Sequence, residues 1–508
     1  MKNNKRILTC VFLLLLAAGG RCGEITVHNG ESIADALRQA REWRRTGDAR
    51  CQGGITIRIE PGRYYMAEPL LLRPEDSGSE SSPLTIVGED GAVVCGDPVQ
   101  KHTQLWPLEG MMVLKAFDAA GRTITIPTPP KNVLQTKNLE MVVHQRWAIA
   151  ILRVKAMAVN GDQTVVTFLE PESRLEFEHP WPQPVIADGQ TADKSSSFLL
   201  RTTERRDGVE RLLTISGTDG SPVHHVTISG ITFEDACWNR PQHLGHVTLQ
   251  GGFPLVDAYK LQQEGLPWDS GLENQAWIER PASAVSVSNA HHVSIVDCTF
   301  RNLGCTALDF ASDIHDCQIV RNSFSCIGGT AILAGSFAES PMEVHRPYRH
   351  LASRCSRLTI SENIIDRAAT EDWGAVGIGC GYVSHVDISG NTVSNVNYSG
   401  ICVGWGWTPA DTGMHGNKIR GNCVSGYACQ LYDAGGIYTL SNQPGSEITG
   451  NTVSAPTAAP YATNNRAFCI YLDARTDGFT IADNHTDGRP LTKDDIGFNR
   501  PGPEVIIK

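Results

Sequence analysis

Val386-Asp387-Ile388-Ser389-Gly390-Asn391-Thr392-Val393 reads hydrophobic-x-hydrophobic-x-x-Asn-x-hydrophobic, and the chain repeats it. The pattern returns at Cys317–Phe324 with Asn322, at Asn417–Val424 with Asn422 and at Ser446–Val453 with Asn451. Looser copies occupy Val293–Phe300, Leu358–Ile365 and Phe479–Asn484. The residues in the Asn slot, at 298, 322, 363, 391, 422, 451 and 484, stand 24, 41, 28, 31, 29 and 33 apart. Periods in this range mark a repeat architecture. Each copy alternates apolar and polar residues, passes a turn and runs into a second Gly-flanked apolar stretch, as in Ser399–Gly404, Gly435–Leu440 and Phe468–Asp473. Alternation with turn punctuation is strand periodicity. Short strands coiled about one axis stack like residues about 4.8 Å apart, and an Asn column at the bend lets side-chain amides bond along the stack while tolerating left-handed backbone. The reading is an all-β chain, a right-handed parallel β-helix.

Working outward, Ile25–Gly96 carries the first rungs, and the amphipathic segment Ser32–Arg44 places Ile33, Ala36, Leu37 and Ala40 at helical spacing. A helix there caps the open end of a solenoid, whose first rung otherwise exposes apolar side chains and strand edges. From about Lys101 to Phe198 the repeat disappears and Trp, Pro and charged residues become denser, with strands expected at Met141–His144 and Thr164–Leu169. The expected organisation is residues 1–21 as an export signal, 22–100 as cap and first rungs, 101–198 as an inserted β-rich module, 199–490 as the main β-helix and 491–508 as a tail. Long excursions at Glu234–Arg280 and Ser336–Ser356 are where binding residues concentrate on a regular coil.

The segment 1–21 has Lys2, Lys5 and Arg6, then the apolar run Ile7–Ala18, then small residues. That run is too short to span a bilayer, and no second long apolar run follows. The expectation is an extracytoplasmic protein without a membrane span. Cys22 raises a lipid-anchored variant, but Arg21 precedes it where such signals carry a small residue. Net charge is −11 with only 19% charged residues, which argues against nucleic acid and for a neutral or weakly charged partner. Of fifteen cysteines, Cys298, Cys317, Cys402, Cys423 and Cys469 fall in repeat slots and read as packed thiols. No CxxC pair is present, so no metal centre and no cofactor are expected.

Aligning the second apolar run of successive rungs puts Val376, Ile401, Ile437 and Ile470 in one column, and four residues earlier Asp372, Asn397, Asp433 and Arg466 in another. Trp373, Trp405, Trp407 and Tyr438 flank this strip. Aromatic faces beside carboxylates suit a sugar: the rings take its C–H face and the acids move protons at the glycosidic oxygen. Asp372 and Asp433, two rungs apart, would stand roughly 9.6 Å apart, at the upper edge of the separation for an inverting pair. Asp473 falls in the column of Gly379, Gly404 and Leu440, so Asp433 reaches it only if the chain bends between them, because seven extended residues span about 23 Å. Trp405 and Trp407, two apart, are expected on one outward face. His144, Arg146 and Trp147 form a further polar-aromatic cluster in the insert.

With these residues in hand the chain resembles the right-handed β-helix carbohydrate-active enzymes of the pectate-lyase-like solenoid type, and it is most similar to glycoside hydrolase family 141. The carrying segments are Ile59–Gly88, Asn138–Trp147, Gly230–Trp238, Asn397–Trp407, Asp433–Asn451 and Cys469–Asn484. The resemblance implies hydrolysis of glycosidic bonds in plant cell-wall or similar glycans, fucosides and xylans among them. It puts the acidic pair on Asp433 and Asp473, where the column argument favours Asp372 with Asp433. Arg475 closely follows Asp473, and a guanidinium there would depress a neighbouring acid. Further sugar contacts are expected from Trp405, Trp407, Tyr438, Trp373, Arg466, Gln443, Arg146 and Trp147, in a chain acting as a monomer. A lyase with Arg466 as base, or a non-catalytic glycan-binding coil, are the other readings, since fold alone does not choose among them.

Overall fold

The computed structural model describes residues 22–96, 102–107, 117–178, 198–203, 207–257, 277–339, 342–343, 355–459 and 466–508; the expected export segment lies outside them. Three parallel sheets of thirteen, ten and eleven strands run along the coil. The chain visits them in turn: Ala290–Val296 on the first face, Thr299–Leu303 on the second and Thr306–Phe310 on the third, before Ile314–Val320 begins the next rung. Parallel connections of this kind are right-handed because a right-twisted strand packs back onto its sheet only that way.

Stacking puts like on like. One isoleucine column threads the first face from Ile25 through Ile57, Ile86, Ile228, Ile295, Ile319, Ile360, Ile388, Ile419 and Ile448 to Ile481, every member buried. On the second face Phe233, Phe300 and Phe324 stack at 5.2 and 4.7 Å. At the bend between these faces the Asn slot forms a continuous amide ladder. The Asn391 side-chain oxygen accepts from both the backbone N–H (3.0 Å) and the amide (2.9 Å) of Asn363, while its own amide donates to Ile360 O (2.9 Å) and Asn422 Oδ1 (3.0 Å). Cys298 occupies the first slot, its N–H donating to Asn322 Oδ1 at 2.9 Å and its thiol to Ile228 O at 3.8 Å and Val296 O at 3.4 Å. Replacing Asn391 by Ala strands several buried donors and acceptors, each worth about 1–3 kcal/mol. A loss of about 3–5 kcal/mol is expected in denaturant unfolding.

The fourteen cysteines among the described residues are all free thiols. Burial pushes Cys298 and Cys317 up to about 12, which keeps them inert. Cys423 is the exception to the packed-thiol reading, because it pairs with Thr392 and Thr452 on the outward side and is exposed. The cap is the helix Ile33–Thr46, started by the Ser32 hydroxyl accepting from Asp35 N (3.3 Å) and ended by Gly47 at φ 67°. Its stripe of Ile33, Ala36, Leu37, Ala40 and Trp43 is buried against the first rung. No helix among the described residues is long and apolar enough to cross a membrane.

The insert forms a separate, mainly antiparallel sheet of eight strands. Its central hairpin pairs Leu139–His144 with Ile149–Asn160, and the short strand His246–Val247, from the excursion after Glu234, joins it at Ala150 and Ile151. The insert sheet therefore takes one strand from an excursion of the coil. The ion pair of Arg153 with Glu172, closed by bonds of 2.6 and 2.8 Å and nearly dry, holds this module together.

Candidate active site

The ladder register corrects one of the sequence columns. Ile401 pairs with Ile378, not with Val376, while Ile401, Ile437 and Ile470 do stand in line. The residue four before Ile378 is Gly374, so Asp372 leaves the strip. It lies in a different cavity of about 570 Å³, where its carboxylate bonds His246 Nε2 (3.0 Å) and accepts from Gly374 N (3.1 Å). That role is anchoring: it ties the coil to the strand that docks on the insert. The same two-residue correction replaces Gly379 by Gly381 in the column of Gly404, because Cys380 pairs with Val403.

Asp433 and Asp473 meet in one cavity of about 300 Å³, lined also by Tyr398, Tyr438, Arg466, Arg146, Trp147, Trp407, Gln250 and Asn499. The bend this requires is built into the strand Ala434–Thr439. Asp433 takes left-handed backbone at φ 61°, and at Gly435 a Cβ would stand 2.6 Å from Ile437 O, so only glycine follows that curve. Beyond the bend Tyr438 lies beside Tyr471 of the strand Ala467–Leu472, their rings edge to face at 5.2 Å.

The two tyrosines connect the acids. Tyr471 Oη donates to Asp433 Oδ1 (2.9 Å) and accepts from Arg466 Nη2 (3.3 Å), whose Nε is 3.7 Å from the same carboxylate oxygen. Tyr438 Oη donates to Asp473 Oδ2, and Asn499 Nδ2 donates to Asp473 Oδ1 at 2.5 Å. Above them the Gln250 amide donates to the hydroxyls of Tyr438 and Tyr398, each at 3.2 Å, and Tyr398 Oη donates to the Asp433 carbonyl at 3.0 Å. Burial, then the charge of Asp473, pushes Asp433 up to about 6, against the pull of Arg466, Tyr471 and Arg146. Arg475 is absent from this cavity; the cations facing Asp433 are Arg466 and Arg146. Asp473 by contrast has both oxygens occupied by donors, Tyr438 on one and Asn499 on the other.

The insert supplies the remaining wall. The hairpin turn Gln145–Ala148 sets Arg146 at φ 67° and brings it and Trp147 to the cavity. Gln145 donates to both oxygens of the buried Glu176 (2.9 and 2.7 Å), Trp147 Nε1 donates to Leu249 O (3.1 Å), and Tyr432 N donates to Arg146 O (3.1 Å). His144 completes the clamp: its Nδ1 accepts from Arg146 N (3.3 Å), which puts the proton on Nε2 for Gln430 O (3.1 Å). Burial pushes this imidazole down to about 4, so it stays neutral.

Three expected sugar contacts lie elsewhere. Trp405 is buried, not outward, packed on Phe253, Phe337 and Trp407. Trp407 is also buried but lines the cavity; the strand ends at Val403, and left-handed backbone at Gly404, Gly406 and Trp407 replaces the alternation expected to turn both rings outward. Gln443 is fully buried; its amide donates to Val403 O and Leu440 O and its oxygen accepts from Asn417, so it is a rung of a second amide ladder. Trp373 packs half-buried on the coil. Sequence reasoning missed Tyr398, Tyr471, Gln250 and Asn499. Tyr471 alone carried a signal, since it stands in the column of Tyr438 in the Cys-Ile-Tyr-Leu-Asp run.

The class is that of the parallel β-helix proteins, here with two carboxyl groups in one aromatic-walled cavity. The GH141 insertion domain matches residues 99–205. A solved glycoside hydrolase superposes with a TM-score of 0.83 at 30% identity, covering 96% of this chain and 96% of that one. An adhesin of Streptococcus pneumoniae, PfbA, matches at a TM-score of 0.39 and 11% identity over 96% of this chain and 100% of its own. An alginate lyase from Paenibacillus sp. matches at 0.37 and 10% over 95% and 99%. No curated protein matches this chain. The chain belongs to the glycoside hydrolases, with the insertion domain of family 141, and it cleaves glycosidic bonds.

Proposed function

We propose that this glycosidase removes a terminal sugar from a plant cell-wall-type or related complex glycan outside the cytoplasm, with Asp433 as general acid and Asp473 as the second carboxyl of the pair. The observation that carries this reading is the pair itself: one carboxyl raised to about 6 by burial and by the other's charge, the second fully engaged by Tyr438 and Asn499. A carboxyl that burial keeps protonated closer to neutral pH is placed to act as the acid. Asp433 donates its proton to the leaving oxygen while Asp473 activates water or attacks the sugar. A cavity of about 300 Å³ walled by Trp147, Trp407 and Tyr398 is at the small end for ligand sites, which supports exo action on one sugar unit and favours a fucosidase-like over a xylanase-like activity. Arg466 and Arg146 supply hydrogen-bond donors for hydroxyls.

The lyase alternative needs Arg466 to act as a base. Burial pulls its guanidinium down, but the charges of Asp433, Tyr471, Asp473 and Tyr438 together push it up, so it keeps its proton. Export through residues 1–21 belongs to the same reading, as a glycan substrate of this kind lies outside the cell, and the chain is taken to work as a monomer.

The test is sugar release from a panel of plant polysaccharides and aryl glycosides, comparing the wild type with Asp433→Asn. Sugar released only by the wild type supports the proposal. A product absorbing near 235 nm would mean elimination and sink it. Trp147→Ala, which opens the cavity wall, is expected to raise KM roughly tenfold with a smaller change in kcat, read from initial rates on the best aryl glycoside.

A further inference from the structure

The first face of the coil carries five histidines on three consecutive rungs. The strands Val223–Ser229, Ala290–Val296 and Ile314–Val320 pair so that His224 stands beside His291 and His291 beside His315. In each strand the next residue has left-handed backbone: His225 at φ 54°, His292 at 52° and Asp316 at 55°. Strand side chains normally alternate between faces. This recurring left-handed residue, in register from strand to strand, breaks the alternation and turns two successive side chains toward solvent.

Two imidazole columns result. His224 and His291 stack at 4.9 Å, His291 and His315 at 4.8 Å, and His225 and His292 at 4.7 Å with ring planes 4° apart. The nitrogens converge between the columns: His224 Nδ1 is 3.1 Å from His225 Nδ1, and His291 Nδ1 is 2.8 Å from His292 Nδ1. One ring nitrogen from each of His225, His291 and His292 lies within 4.8 Å of the other two. Stacking for its own sake requires only ring faces; nitrogens of three rings drawn together are what a cation bridges. Two nitrogens bound at about 2.0–2.1 Å to a tetrahedral ion stand about 3.4 Å apart, which small side-chain rotations reach here. Beside the trio His315 Nδ1 bonds Asp316 Oδ2 at 2.9 Å, and Arg357 holds that carboxylate at 2.7 and 2.8 Å, which fixes the end of the column.

We propose that His225, His291 and His292 form a surface site for a transition-metal ion of the Zn²⁺, Ni²⁺ or Cu²⁺ class, separate from the catalytic cavity. An all-imidazole set selects these ions, whereas Ca²⁺ and Mg²⁺ require oxygen ligands. With three protein ligands the fourth position is left to water. The ion would clip together two rungs whose ligands are 291 − 225 = 66 residues apart in sequence, and so stabilise the coil, because it binds only the folded arrangement.

The test is titration calorimetry of the full mature chain, without an affinity tag, against ZnCl₂, NiCl₂ and CaCl₂. One Zn²⁺ per chain is expected, no heat from Ca²⁺, and at least about 100-fold weaker Zn²⁺ binding in the double variant His225→Asn/His292→Asn. Zn²⁺ is also expected to raise the unfolding temperature of the wild type and not of that variant, with sugar release unchanged between them in the absence of metal. His292→Asn alone, at the exposed position, should weaken binding about tenfold with an unaltered metal-free melt, which covers the case in which the double variant folds poorly. Equal Zn²⁺ affinity in wild type and variants, or no Zn²⁺ binding by the wild type, overturns the proposal.

Discussion

Asp433→Asn is expected to lower kcat/KM by about 10³- to 10⁴-fold on glycosides with a sugar leaving group, the upper range for losing a general acid, while leaving the protein folded. The wild type should show the corresponding pH dependence. Asp433 acts only while protonated, and burial with the charge of Asp473 raises it to about 6, so kcat/KM falls about tenfold per pH unit above that value. The same shift bears on stability. The native state holds this proton more tightly than the unfolded chain, where the group sits near 3.8, so the stabilising contribution is fully present below pH 3.8 and is lost as pH rises through about 6. At pH 8 the ionised carboxylate costs about 3 kcal/mol, and Asn removes that cost. Asp433→Asn should therefore be the more stable protein at pH 8, with the advantage gone by pH 4, as read from urea midpoints at both values. Equal activity of the two proteins would remove Asp433 from the chemistry.

The coil was legible because its signal is periodic and local. Every residue of the Asn slot from 322 to 484 is in the amide ladder, since a buried amide column admits only one side-chain length. The cap helix was legible for the same reason, with Ser32 and Gly47 as its ends. The site was legible in part. Alignment by apolar runs recovered the rungs from Ile401 onward but slipped two residues at Val376, because that rung is preceded by the turn at Asp372–Gly374 and no Asn marks the third face. Trp405 and Gln443 misled because strand alternation does not say which exposed-looking positions other turns of the chain cover: Phe253 and Phe337 pack on Trp405, and Gln443 is bonded to Val403, Leu440 and Asn417. Gln250 and Asn499 come from an excursion and the tail, where no period exists, and only the tertiary docking of His246–Val247 on the insert brings the former to the tyrosines.

Asp473→Asn is expected to cost as much as Asp433→Asn, about 10³- to 10⁴-fold, yet the two should part company when the leaving group changes. A phenol with strongly acidic character departs without a proton, so an aryl glycoside of that kind makes a general acid nearly dispensable. On such a substrate Asp433→Asn should recover most of its lost rate, and Asp473→Asn should recover none, because the attack on the sugar or the activation of water is still missing. Asn at 473 keeps a carbonyl oxygen for the Tyr438 hydroxyl that now bonds the carboxylate, so the loss reports charge and nucleophilicity more than a collapsed wall. Tyr438→Phe separates the two further: it removes that one donor from Asp473 without touching the Tyr471 bond to Asp433, and its rate loss should persist on the activated substrate. If Asp473→Asn is the variant that recovers, the acid and its partner exchange places. The buried tyrosine pair would then be tuning Asp473 as the proton donor.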